Sequence, residues 1–244
     1  MIRLDAATVL LQWATGGLFF LWWTTRRHEI GAGYGWLLRG TYAALAVGSV
    51  ASAWATDPLL VRDVAAAGVA VAALATIRRR NATWDLLAPL VGAVGVLAAA
   101  VDAADAGGNS AVSVVRVVVG TIFLGAVSDS MLLGHWYLVQ PGLPRSILNE
   151  LVTVMRVVAP VEIAAMLLPT GMVSVLVGTV DDGWGGTLGW FWVACAVTTV
   201  VLVEVTRLAL RERSYSAVMA ATGLLYLAIL TAFGTDLVAR AVLA

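Results

Sequence analysis

Eight apolar runs, each near the length needed to cross roughly 30 Å of hydrocarbon, follow one another along the chain. They read as helices over about residues 6–23, 34–56, 59–77, 84–101, 110–139, 146–168, 187–210 and 215–239. That succession leaves almost no soluble mass. It predicts an all-α, polytopic membrane protein: one transmembrane domain over 1–244, divisible into halves 1–108 and 109–244. The charged fraction agrees, because 12% is about half that of a soluble domain.

The loops between the runs carry the orientation. Arg26, Arg27 and His28, then Arg78, Arg79 and Arg80, then Arg145, then Arg211 and Arg213 mark alternate loops. The intervening loops carry Asp57, Asp102 with Asp105, and Asp181 with Asp182. Basic loops stay on the cytoplasmic side, which gives eight spans with both termini outside. The first run is not a signal peptide, because its basic cluster follows it instead of preceding it. It reads as an uncleaved helix in the cytoplasmic membrane. The fifth run would be about 45 Å long as a helix, so it must tilt or project from the bilayer. Pro141 to Pro144 end it, and Pro160 is an expected kink in the sixth. A faint echo links the halves: a basic loop precedes the fourth and eighth runs, and Asp102 and Asp236 lie near their far ends.

Several chemistries are excluded. The net charge is zero, which argues against a nucleic-acid partner. The chain has no lysine, so no Schiff base to retinal or pyridoxal can form. The single Cys195 permits no internal disulfide and holds no iron–sulfur cluster alone; it reads as a buried small hydrophobe. No phosphate-binding, hydrolase or zinc motif occurs, and GAGYG at 31–35 is too short for a dinucleotide loop.

Ionisable groups at membrane depth are expensive and mark sites by default. Asp129 lies ten residues from the basic end of helix five, and Arg156 ten residues from the same end of helix six. Both then sit roughly 15 Å deep, and they are expected to pair, either for proton handling or to lock two helices. Asn149, Thr153 and Arg156 share one helical stripe. Glu162 falls off that stripe, as a proton relay or as a partner for Arg116 or Arg39. His135, followed by Trp136 and Tyr137, offers a donor and flat surfaces for a quinone headgroup, with Asn149 close by. The plainer alternative makes Trp136 and Tyr137 interfacial belt residues and His135 a carbonyl cap. A haem held by His28 and His135 is disfavoured, because His28 sits inside a charged loop. Glu204, Arg207 and Arg211 read as local interfacial pairs. Asp236 and Arg240 read as another local pair, or as charge shown to an outside partner.

The terminal stretch Gly234-Thr235-Asp236-Leu237-Val238-Ala239-Arg240 is similar to the Gly-x-acidic-Leu-x-small-Arg ending of one membrane-anchor family. Together with the topology, the chain resembles the dimethyl-sulfoxide-reductase anchor and NrfD (polysulfide reductase) subunits. The LLGHWYLVQPGLP stretch, 132–144, has no counterpart there. The resemblance implies a quinone-reactive subunit of a respiratory oxidoreductase. It would exchange electrons with a separate iron–sulfur subunit and carry no cofactor of its own. Two other readings stand beside it. One is a secondary transporter or channel that uses Asp129, Arg156 and Glu162. The other is a structural accessory subunit that docks through its glycine-rich segment 169–186.

Overall fold

The structure is a computed structural model that describes residues 5–78, 82–105, 109–168 and 171–243, the side chains of Ala82 and Asp105 excepted. Arg79, Arg80, Asn81 and the Pro169 start of the glycine-rich segment lie outside the described residues. The described residues form helices and no strand: α1 Ala6–Thr25, α2 Ala32–Ala55, α3 Leu60–Thr76, α4 Ala82–Asp85, α5 Leu87–Asp105, α6 Ser110–Trp136, α7 Arg145–Leu167, α8 Gly171–Leu176, α9 Thr187–Ala209 and α10 Tyr215–Leu243. Five segments are long and apolar enough to cross a membrane: α1, residues 83–104, α6, α9 and α10. The chain thus has the character of a multi-pass membrane protein.

The helix ends follow their capping chemistry. Asp5 accepts from the Ala7 and Thr8 amides at the start of α1, and Asn109 accepts from Ala111 and Val112 at the start of α6. Each satisfies amide hydrogens that have no partner within the helix. The run expected as one helix from residue 84 breaks at Leu86. Pro89 has no N–H for the Asp85 carbonyl, and α4 and α5 meet there at a turn. Pro160 has the same defect, yet α7 runs unbroken through it.

Neighbour relations are regular. Helices α1, α2, α3 and α5 close a four-membered ring in chain order, and α6, α7, α9 and α10 close a second. The rings meet where α6 packs on α1 and α5. The α1–α6 crossing is very close: a Cβ on Gly16 or on Gly125 would overlap the other helix's backbone. Small residues permit such approach in membrane bundles, where dispersion replaces the hydrophobic drive between helices. Large apolar side chains instead cover the perimeter, with Trp54, Leu60, Trp190 and Leu230 all more than two-thirds exposed.

The bundle has two chemically different ends. Asp5, Asp57 and Asp102 gather at one, around a cavity of about 620 Å³. His28, Arg39, Arg78 and Asp85 line a cavity of about 510 Å³ at the other. These are called the acidic end and the arginine-rich end.

Candidate functional site

Two polar levels interrupt the apolar interior, and α6 contributes to both. Arg116 and Gly120 stand at one level and Asp129 at the other. Nine residues separate Gly120 from Asp129, or roughly 14 Å along the helix.

The level nearer the acidic end is built by α1, α6, α7 and α10. Asp236 and Arg240, one turn apart on α10, form a bidentate ion pair: Arg240 Nε donates to Asp236 Oδ2 at 2.7 Å and Nη2 to Oδ1 at 3.0 Å. Both side chains are 0% exposed. They pack over Gly120, where an added Cβ would come within 3.4 Å of Asp236, Arg240 and Gln12. Gln12 donates to the Val117 carbonyl at 2.6 Å. Arg116 donates from Nε to the Ala165 carbonyl at 3.0 Å and from Nη2 to the Leu168 carbonyl. It thereby satisfies carbonyls at the end of α7 that have no partner within the helix.

Glu162 of α7 completes this level. It is fully buried and within electrostatic reach of Asp236, Arg240 and Arg116. Among the described residues, neither of its carboxylate oxygens has a hydrogen-bond partner, and neither does Arg240 Nη1 or Gln12 Oε1. These four unpartnered polar atoms in one buried cluster are donors and acceptors of the kind that ordered water satisfies. The cavity at the acidic end reaches this cluster, because Val117 and Arg240 are among its lining residues.

The wall of that cavity is held by Arg62 of α3. Its guanidinium pairs with Asp5 and with Asp63, the latter at 2.9 Å, and donates to the Asp57 carbonyl at 2.7 Å. One arginine thus ties the start of α1 to the loop between α2 and α3.

The second level holds Asp129, 0% exposed. Tyr42 of α2 donates its hydroxyl to Asp129 Oδ1. Oδ2 has no partner among the described residues, and neither has the fully buried Tyr34 hydroxyl two turns away on α2. Tyr42 reaches Asp129 because its ring lies on Gly17, where any side chain would collide with it. Trp13 donates to Ser128 Oγ at 2.6 Å alongside.

The structure does not bring Asp129 and Arg156 together. The Arg156 side chain is 58% exposed and pairs with Glu204 of α9 at 3.2 Å. Helix phase is the reason: Asn149, Thr153 and Arg156 form the stripe expected of them, but it points out of the bundle, and all three are exposed. Glu204 also pairs with Arg207 and lies within electrostatic reach of Arg211, so Arg156 joins that set.

The quinone residues also part company. His135 is exposed, and its Nδ1 meets the Tyr226 hydroxyl of α10 at 3.1 Å. Trp136 turns to Tyr34 and Gln140. Tyr137 is buried, and its hydroxyl donates to the Pro144 carbonyl at 2.7 Å. Successive helical residues point about 100° apart, so these three face in different directions. His28 lies in the turn after α1 and lines the cavity at the arginine-rich end, while His135 faces α10. Arg39, offered as a partner for Glu162, instead pairs with Asp85 at 2.6 Å. Cys195 is buried, against Gly234.

Sequence reasoning read Asp236 and Arg240 as a peripheral pair and passed over Gln12, Tyr34 and Tyr42. The available signal was two tyrosines eight residues apart and a glutamine inside otherwise apolar spans. No family model, no curated protein and no solved structure matches the chain.

Proposed function

We propose that the chain is a proton-coupled membrane transporter of small solutes. Its eight long helices span the cytoplasmic membrane, with the acidic end outside. The observation that carries this reading is Glu162, a fully buried carboxylate without a hydrogen-bond partner, within electrostatic reach of Arg240, which lines the acidic-end cavity. A carboxylate held that way exchanges a proton at little structural cost, since no hydrogen bond is broken. Asp129 provides a second proton-binding level toward the arginine-rich end. Arg156 has no part in the mechanism.

The test uses the purified chain in proteoliposomes with a pH-sensitive dye inside. A panel of small acids, amino acids, amines and sugars is added in turn. At least one solute should drive proton entry, E162Q should abolish that entry, and D129N should slow it. Proton movement unaffected by E162Q, or none with any solute, overturns the reading. Orientation is tested separately with Cys195→Ser and single cysteines at 57 and 213. An impermeant thiol reagent applied outside should label only the former.

The contact between His135 and Tyr226 favours a second reading, that of the quinone-reactive anchor. Both groups are exposed on the bundle's flank, where a lipid-soluble quinone could meet them laterally. A stoichiometric iron–sulfur subunit in preparations from native membranes, with quinone turnover lost in H135A, would support that reading over transport.

A further inference from the structure

The proposed transport reading leaves the solute open, and the floor of the acidic-end cavity narrows it. Arg240 uses Nε and Nη2 on Asp236. Its Nη1 has no partner among the described residues, although the side chain is 0% exposed. Arg240 also lines the cavity, with Thr8 and Val117 beside it. A guanidinium cannot shed its proton to relieve a missing acceptor. An idle N–H on a residue that lines a cavity can take an acceptor oxygen, from ordered water at rest or from a ligand that displaces it. A carboxylate makes the strongest bond of this kind.

Charge balance ties that ligand to a proton. The cluster holds Arg116 of α6 and Arg240 of α10, against Asp236 of α10 and Glu162 of α7. Gln12 of α1 is its neutral member. The four charges cancel while Glu162 is ionised. A bound carboxylate adds one negative charge to a site where uncompensated charge is costly. Protonation of Glu162 restores neutrality and needs no rearrangement, because both its oxygens are unpartnered. Each ligand then favours the other by the same factor.

We propose that the cavity binds a small carboxylate-bearing solute on Arg240 Nη1 and that each carboxylate enters together with one proton on Glu162. The inference rests on the transport reading and names its substrate class. The cavity's volume of about 620 Å³ lies within the usual range for small-molecule sites. Asp5, Asp57 and Asp102 around it set the remaining question, which is whether the solute is a bare acid or a zwitterion with a cationic end toward the mouth.

The test is titration calorimetry on the full chain in detergent, run in two buffers that differ in ionisation enthalpy. The probes are acetate, lactate, glycine and betaine, with acetamide as the neutral control. Acetate and lactate binding best identifies a bare acid; glycine and betaine binding best identifies a zwitterion. Carboxylates should bind with uptake of about one proton each, and acetamide should not bind. E162Q should keep carboxylate binding and lose the proton uptake. R240Q should weaken binding roughly tenfold or more. Should R240Q not fold, Ala6→Trp serves instead: Ala6 is an exposed lining residue, and the indole should block entry without touching the cluster. No binding by any carboxylate, equal binding of acetamide, or undiminished proton uptake in E162Q overturns the inference. If proton flux in proteoliposomes survives but is driven by sugars or amines alone, the transport reading stands and the carboxylate assignment falls.

Discussion

Removing one side of the Asp236–Arg240 pair should hurt the fold unequally, depending on which side is removed. Breaking a buried ion pair leaves an uncompensated charge and costs about 3–5 kcal/mol. Here the remaining charges decide where in that range each variant falls. R240M leaves two carboxylates, Asp236 and Glu162, facing only Arg116, which already donates its Nε and one Nη2 hydrogen to the Ala165 and Leu168 carbonyls. Its cost should reach the upper end. D236N frees Arg240, and the idle oxygens of Glu162 can accept from it, so its cost should fall at or below the lower end. E162Q should cost the least, because Glu162 accepts no hydrogen bond to lose. At roughly 2–4 °C per kcal/mol for a chain of this size, R240M should melt about 10–20 °C below the parent. Cys195 makes the assay direct. It is the only thiol in the chain, it is buried, and it packs on α10 at Gly234. A thiol-reactive fluorophore therefore reports opening of the α9–α10 contact on heating. Equal shifts for R240M and D236N, or an E162Q shift as large as either, would refute the charge accounting.

Other consequences follow from single contacts. Y42F should destabilise by about 1–3 kcal/mol, because it leaves both Asp129 oxygens buried without a donor; D129N should recover part of that loss in the double variant, measured by the same thiol assay. Gly125→Leu should separate α1 from α6 and cost about 1–3 kcal/mol or more as overpacking, whereas the same change at exposed Gly142, which has nothing within 4 Å of an added Cβ, should cost little. In the loop before α9, the Gly186 amide, joined by those of Trp184, Gly189 and Leu188, holds the Asp182 carboxyl below the usual carboxylate range. A lowered folded value means that this contribution is present above the ordinary aspartate range and is lost as pH falls through the folded value. Protection of the 184–189 amides, taken relative to the intrinsic exchange rate at each pH, should therefore fall in acid, and D182N should remove that pH dependence.

The helices were legible because a bilayer admits little else, and apolar length alone marks them. The break at Leu86 was less so: Pro89 announces a missing hydrogen bond, but so does Pro160, and only packing decides which helix bends. Position along the helices was also legible: Asp129 falls inside α6, and Arg156 and Glu162 inside α7. Facing was not. A helix tells which residues share a stripe, and Asn149, Thr153 and Arg156 do; it does not tell which way the stripe points when every surface is apolar. In a soluble protein a polar stripe faces water. Here Arg156 found Glu204 on the bundle's flank, while Asp129 was met by Tyr42 from a helix 87 residues away. That contact depends on Gly17 making room for a ring, and no local pattern predicts it.

The same logic separates the two arginine–carboxylate sets by what they can do. Every nitrogen of the Arg62 guanidinium is engaged: Asp5, Asp63, Thr8 and the Asp57 carbonyl accept from it, and its position ties loops together. A group so satisfied resists change of protonation or partner, since every alternative breaks a bond. The α10 cluster is built the other way. Two arginines and two carboxylates cancel in charge, yet polar atoms of Glu162, Arg240 and Gln12 stay without partners beside a cavity. Locking helices requires no more than the Asp236–Arg240 pair, whereas Glu162 adds a buried carboxylate that accepts no hydrogen bond. A carboxylate that balances charge without accepting a hydrogen bond can gain a proton without breaking one. That is the physical ground for placing the working proton on Glu162 and not on the better-bonded Asp236.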